Sequence, residues 1–90
     1  MSELIDACFY NDIELALNLI ENGANVNLQN KCGEFALMWS YYHNNTEIIL
    51  KLIENGANLD LQDDSYRTAI LIKLCQRNNI KIISYLLEQY

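Results

Sequence analysis

The side chains able to do chemistry in this sequence are few, and their spacing decides what they can be used for. His43 is the single histidine. To serve a hydrolase it would need a serine, a cysteine or a carboxylate beside it in a shaped pocket. The three cysteines, Cys8, Cys32 and Cys75, are odd in number and far apart, so neither a disulfide framework nor a CxxC zinc pair is written here. Acids cluster only at Asp60, Asp63 and Asp64. A calcium loop of the EF-hand kind needs alternating oxygens, a glycine and a closing glutamate, and this run lacks the Gly and the Glu. No GxSxG, HExxH, P-loop or GxGxxG occurs. The expectation is a chain without a catalytic centre, cofactor or metal, in which His43 is a surface or interface residue, the thiols are free and the acids are solvated.

The composition narrows the class further. Ninety residues, 51% hydrophobic and 20% charged, suffice for one small domain spanning 1–90. Twelve acidic against six basic side chains give a net charge of −6, the wrong sign for non-specific nucleic-acid binding or for attraction to anionic lipid. No apolar run approaches the ~20 residues of a membrane helix. The first ten residues, MSELIDACFY, carry acids where a signal peptide carries bases. A reducing, cytoplasmic setting is expected. Proline is absent and asparagine occurs twelve times, so turns must be made by Gly and Asn, which tolerate the left-handed region.

The elements that position these residues follow from an internal repeat. Leu19 to Asn30 reads LIENGANVNLQN, and Leu52 to Asp63 reads LIENGANLDLQD: nine of twelve positions are identical at an offset of 33. Within Thr46–Asn55 the apolar residues Ile48, Ile49, Leu50, Leu52 and Ile53 leave Glu47, Lys51 and Glu54 as one narrow polar stripe, the pattern of a largely buried helix. Glu14, Asn18 and Glu21 make the same stripe in the first unit. Gly23 and Gly56 follow where a left-handed residue ends a helix. Shorter helical patterns precede, over Glu3–Tyr10 with Leu4 and Ala7 inward and over Ala36–His43 with Leu37 and Ser40 inward. Asn11, Asn44-Asn45 and Asn78-Asn79 separate short from long helices, and Asp12 and Thr46 stand as N-caps. The alternation in Val26-Asn27-Leu28 and Leu59-Asp60-Leu61 suits a short extended arm.

Helix, turn, helix and extended arm at this period resembles the ankyrin repeat. The middle unit carries the family pattern through Gly33, Phe35, Ala36, Leu37, Met38, Ser40, Ile48-Ile49, Leu52-Ile53 and Gly56-Ala57-Asn58. The first carries it through Leu4, Ala7, Leu15-Ala16, Leu19-Ile20 and Gly23-Ala24-Asn25-Val26-Asn27, and the last through Thr68, Ala69, Ile70, Ile82-Ile83, Leu86 and Leu87. The resemblance implies a mainly all-α solenoid of three helix-turn-helix units, near 1–24, 25–57 and 58–90, joined by short extended hairpin arms. The family's T-P-L-H tetrad is Phe-Ala-Leu-Met in the middle unit and Thr-Ala-Ile-Leu in the last, its internal Gly is replaced by Asn, and one extra residue precedes Ile82. Lys73 and Ser84 fall where apolar or small residues are usual, and Glu3 and Asp6 are polar at the other end. Both ends are therefore expected to act as polar caps of a complete array. Two repeats apart, at about 10 Å per packed helix, Cys8 and Cys75 would be too far apart to bridge.

By the same resemblance, partner contacts come from hairpin tips and the exposed face of the short helices. Position by position this selects Lys31, Cys32 and Glu34, then Asp64, Ser65 and Arg67, and from the short helices Phe9, Tyr10, Tyr42, His43, Cys75 and Gln76. The helical spacing adds an independent reading: with Leu37, Ser40 and Tyr41 inward, Trp39, Tyr42 and His43 face away from the core. Phe9, Tyr10, Trp39, Tyr42 and Tyr66 then form an aromatic strip of the kind that concentrates binding energy, or two or three of them fill space left by the missing proline. The function expected is a non-enzymatic, monomeric protein–protein interaction module with no nucleic acid or membrane partner. The alternatives are an acidic inhibitor or immunity protein blocking a basic enzyme or toxin, and a viral or bacterial host-directed effector.

Overall fold

The computed structural model of the chain describes residues 3–60, 77 and 80–89, and among them five helices form. They are α1 (Glu3–Phe9), α2 (Ile13–Glu21), α3 (Ala36–Tyr42), α4 (Thr46–Glu54) and α5 (Ile80–Gln89). Among the described residues there is no strand, and the chain is all-α.

The helix ends show why these residues make these elements. Asn11 and Asn44 take φ values of 56° and 53°, the left-handed conformation that ends α1 and α3. The following residue then caps the next helix. Asp12 Oδ1 accepts from the backbone N–H of Leu15 at 3.3 Å, and Asn45 Oδ1 accepts from that of Ile48 at 3.1 Å. The cap of α4 is thus Asn45 and not Thr46, which is already the first helical residue. The offset of 33 pairs Asp12 with Asn45, so two adjacent asparagines divide the work: Asn44 supplies the turn and Asn45 the cap. All four described helix ends before residue 60 close alike. The N–H of Asp12, Ala24, Asn45 and Ala57 reaches back to the carbonyls of Ala7, Leu19, Ser40 and Leu52 at 2.8–3.1 Å, the Schellman pattern with Asn or Gly at its left-handed position.

The connecting arm differs from its expected shape. Val26-Asn27-Leu28 is a turn, because the Asn25 side chain accepts from the Asn27 N–H at 3.0 Å and draws the chain round. The Asn58 side chain does the same to the Asp60 N–H at 2.9 Å. Local Asx hydrogen bonds outcompete the alternation read from the sequence. The hairpin is confined to 28–35, where Asn30 N–H donates to Glu34 O at 3.0 Å and Gly33 (φ 75°) turns the tip.

Short helices stack on short and long on long: α1 packs on α3, α2 on α4 and α4 on α5, while α1–α2 and α3–α4 pair within a unit. The core between the layers is Leu4, Ala7, Cys8, Ala16, Ile20, Val26, Phe35, Leu37, Ile48, Ile49, Leu52 and Ile82. Each large side chain here contributes about 1.5–3 kcal/mol by leaving water. Phe35 fills the core directly ahead of α3 and makes no side-chain cap, so packing replaces a hydrogen bond at that helix start. Two expected patterns are broader than the periodicity suggests. Ile13 and Leu15 are exposed beside the polar stripe of α2. Ser84 is exposed on α5 as a cap should be, but it stands between Ile80 and Leu87, which are 73% and 75% exposed.

Of the thiols, Cys8 is buried and Cys32 is exposed at the hairpin tip, both free, while Cys75 lies outside the described residues. Burial pushes the Cys8 thiol above its usual pKa, and a hydrogen bond with the Ser40 side chain opposes the shift only in part. In a Cys75→Ser background, Cys32 is expected to react with an alkylating reagent at the rate of a free thiol and Cys8 only on unfolding. Mass spectrometry of partly labelled chain checks this: two equally fast sites would contradict the packing of α1 on α3.

Candidate functional site

The stacking of α1 on α3 brings the ends of the two short helices side by side, and this collects the aromatic side chains. Phe9 meets Tyr10 and Trp39 edge to face with ring centroids 4.8 and 4.7 Å apart; Trp39 meets Tyr42 at 5.6 Å and Tyr42 meets His43 at 5.2 Å. The T-shaped geometry sets a positive ring edge on a negative ring face at every step. Tyr10 and Tyr42 are 76% and 68% exposed, and Phe9 is partly so. These five residues of the expected site form one continuous strip across two repeats.

Trp39 departs from its expected orientation. It is half-buried, it packs against the core, and its indole Nε1 is buried with no hydrogen-bond partner among the described residues. The large ring spans both surfaces: it packs against the core cluster and also meets Phe9 and Tyr42.

His43 faces away from the core but is not loose. Its Nε2 donates to the backbone carbonyl of Phe9 at 2.7 Å, so that nitrogen carries a proton. Arg77 does the equivalent one unit on, its Nη1 donating to Tyr41 O at 2.6 Å while its guanidinium lies 4.0 Å from the Tyr41 ring centroid. Tyr41, expected inward, is half-buried beneath that guanidinium. Asparagines add further rungs between units. Asn45 Nδ2 donates to Asn11 Oδ1 at 3.0 Å, and Asn27 Nδ2 donates to Gly56 O at 3.1 Å while its Oδ1 accepts from the Asn58 N–H at 2.6 Å. At about 1 kcal/mol each these bonds fix the register of the stack that aligns the rings. Arg77 and Asn27 were not legible as site residues. The signal for them is a polar side chain about one period from a helix-end carbonyl.

The remaining residues separate. Lys31 is exposed in the hairpin tip, but Glu34 is half-buried and committed to it: its carboxylate accepts from Asn30 Nδ2 at 2.8 Å and its N–H donates to Asn30 Oδ1 at 3.0 Å. Asp64, Ser65, Tyr66, Arg67 and Gln76 lie outside the described residues. Beside Tyr10, and unforeseen, a groove of about 180 Å³ opens among Glu3, Asp6, Ala7, Tyr10, Asp12 and Leu15.

Among the described residues no three His, Cys, Asp or Glu side chains converge as metal ligands would, and no helix is long and apolar enough to cross a membrane. What the strip offers chemically is apolar area with polar edges and pre-set rings. Comparison with curated proteins gives no match. Ankyrin repeats, in three copies, match residues 4–90, a family that is typically non-enzymatic and generally mediates protein–protein interaction. The match covers nearly the whole sequence and agrees with the stacked helix pairs, the glycine and asparagine helix ends and the bonds between units: the chain belongs to the ankyrin repeat family.

Proposed function

We propose that this chain is a non-enzymatic binding module that holds a partner protein on the strip formed by Phe9, Tyr10, Trp39, Tyr42 and His43. One observation carries the reading: two tyrosines, each more than two-thirds exposed, stand at intervals along a ladder of edge-to-face rings tied across the repeats by the hydrogen bond of His43 to Phe9 O. Tyrosine and tryptophan supply large contact area at small cost in side-chain entropy, and rings already ordered in the free protein reduce that cost again. Lys31, exposed at the hairpin tip, is the polar contact this reading adds. Three cysteines without a pairing pattern fit a reducing, cytoplasmic compartment.

The test is affinity capture from the native lysate by the wild-type chain and by a Tyr10→Ala/Tyr42→Ala variant. Both side chains are mostly solvent-facing, so the variant is expected to keep its helical circular dichroism. Its capture of the bound proteins should fall tenfold or more. Undiminished capture by a folded variant assigns binding to another surface.

A further inference from the structure

Helix α5 keeps the buried pattern of the long helices and departs from it on one exposed face. One extra residue sets its offset from α4 at 34, so Ile82 and Leu86 stand where α4 has Ile48 and Leu52. Ile82 is buried as Ile48 is, and Leu86 packs against the core. Three other positions change character: Ile80 replaces Thr46, Lys81 replaces Glu47 and Ser84 replaces Leu50. All three are exposed, as are Leu87 and Glu88. Ile80, Ser84 and Leu87 fall at i, i+4 and i+7, an apolar seam with a small residue at its middle. Lys81 and Glu88 are also seven residues apart, so they flank one side of that seam, about 10 Å from each other along the axis. Both charges oppose the helix dipole. Helices α2 and α4 open on an acid, Glu14 and Glu47, whereas α5 has no acid in its first turn and no base in its last.

We infer that this face of α5 pairs with the same face of a second copy of the chain, the two helices antiparallel about a twofold axis beside Ser84. The face is complementary to itself in that orientation. Each Lys81 meets Glu88 of the other copy, twice by symmetry, and each charge comes beside the helix end of opposite partial charge. A parallel pair would set like charges at equal heights. Ile80 packs beside Leu87 of the second copy, and Ser84, lacking bulk, lets the two axes approach. Another stacked repeat is the wrong occupant: at this position α4 offers Leu50, which packs against the core, and α5 offers a hydroxyl. The seam is short, and two copies of net charge −6 repel. The pairing is therefore weak, absent at the micromolar concentrations of a denaturation experiment and present towards millimolar. The exposed residues of the seam thus act on association and not on folding, and none of them belongs to the aromatic strip.

The experiment is sedimentation equilibrium of the chain from about 10 μM to about 1 mM, with reductant present to keep Cys32 a thiol. A monomer–dimer equilibrium is expected. Ile80→Ser/Leu87→Ser should weaken it tenfold or more while the helical circular dichroism is kept. Glu88→Lys lowers the net negative charge by two, so general repulsion alone would make it associate more tightly; it is expected to associate several-fold more weakly. Lys81→Glu should do the same, and an equimolar mixture of these two variants should recover association at least as strong as wild type, because every pair across the axis is again of opposite charge. Glu54→Lys, the same charge change on α4, should not weaken pairing by as much as twofold. A monomer throughout, species larger than a dimer, equal effects of Glu88→Lys and Glu54→Lys, or a mixture no stronger than its components would overturn the inference.

Discussion

Leu52→Ala is expected to lower the free energy of unfolding by about 3–5 kcal/mol, the cost of deleting a buried leucine where the surroundings cannot collapse. Leu52 has no solvent exposure and sits in α4, which packs on α2, α3 and α5 and so joins both ends of the array. A domain of ninety residues has about 5–13 kcal/mol in all, so this one cavity removes about a quarter or more. Because each repeat is stable largely through its neighbours, the loss should appear in every helix together. Urea denaturation followed by far-ultraviolet circular dichroism measures it. Leu87→Ala on α5, at a position left to solvent, should change stability by less than about 0.5 kcal/mol. Similar losses for both leucines would mean that α4 is not the centre of the stack.

Gly56→Val should cost about 1–3 kcal/mol, for a different reason. Gly56 has φ of +89°, and a Cβ built there meets nothing within 4 Å. The penalty is therefore purely conformational: a β-branched residue is forced into the left-handed region. A chain carrying D-alanine at position 56, made by chemical ligation, separates conformation from crowding. It fits the positive φ, restricts the unfolded chain, and should match or exceed the wild type by up to about 1 kcal/mol. If D-alanine and valine destabilise alike, unseen crowding and not backbone handedness governs this helix end.

Much of the fold was legible because the repeat reports on itself twice. The described helices, both left-handed helix-end glycines and Asn11 and Asn44 follow from aligning one unit on the next, but Thr46 was misread as the cap of α4, which is Asn45, because two adjacent asparagines share the turn and the cap. The arm was misread at Val26-Asn27-Leu28 because a hydrophobic pattern spanning three residues is weaker than one Asx hydrogen bond from Asn25. The strip was partly legible. Helical spacing faced Tyr42 and His43 outward, but Trp39 spans two environments, which a binary rule for inside and outside does not express. Glu34 looked free because its carboxylate is spent on an asparagine four residues away, and such local pairing leaves no periodic trace.

The two Asn-Gly helix ends bear on how the molecule ages. Such pairs deamidate when the glycine nitrogen attacks the preceding side-chain amide and closes a succinimide ring. Here the Gly23 and Gly56 N–H groups are held by the carbonyls of Ile20 and Ile53 at 3.1 Å, and the amides of Asn22 and Asn55 donate to Asn18 and to the Lys51 carbonyl. Both reacting partners are tied down in the folded chain, so damage at these sites keeps time with the opening of the last helical turn, and the geometry that terminates each long helix also sets its chemical lifetime.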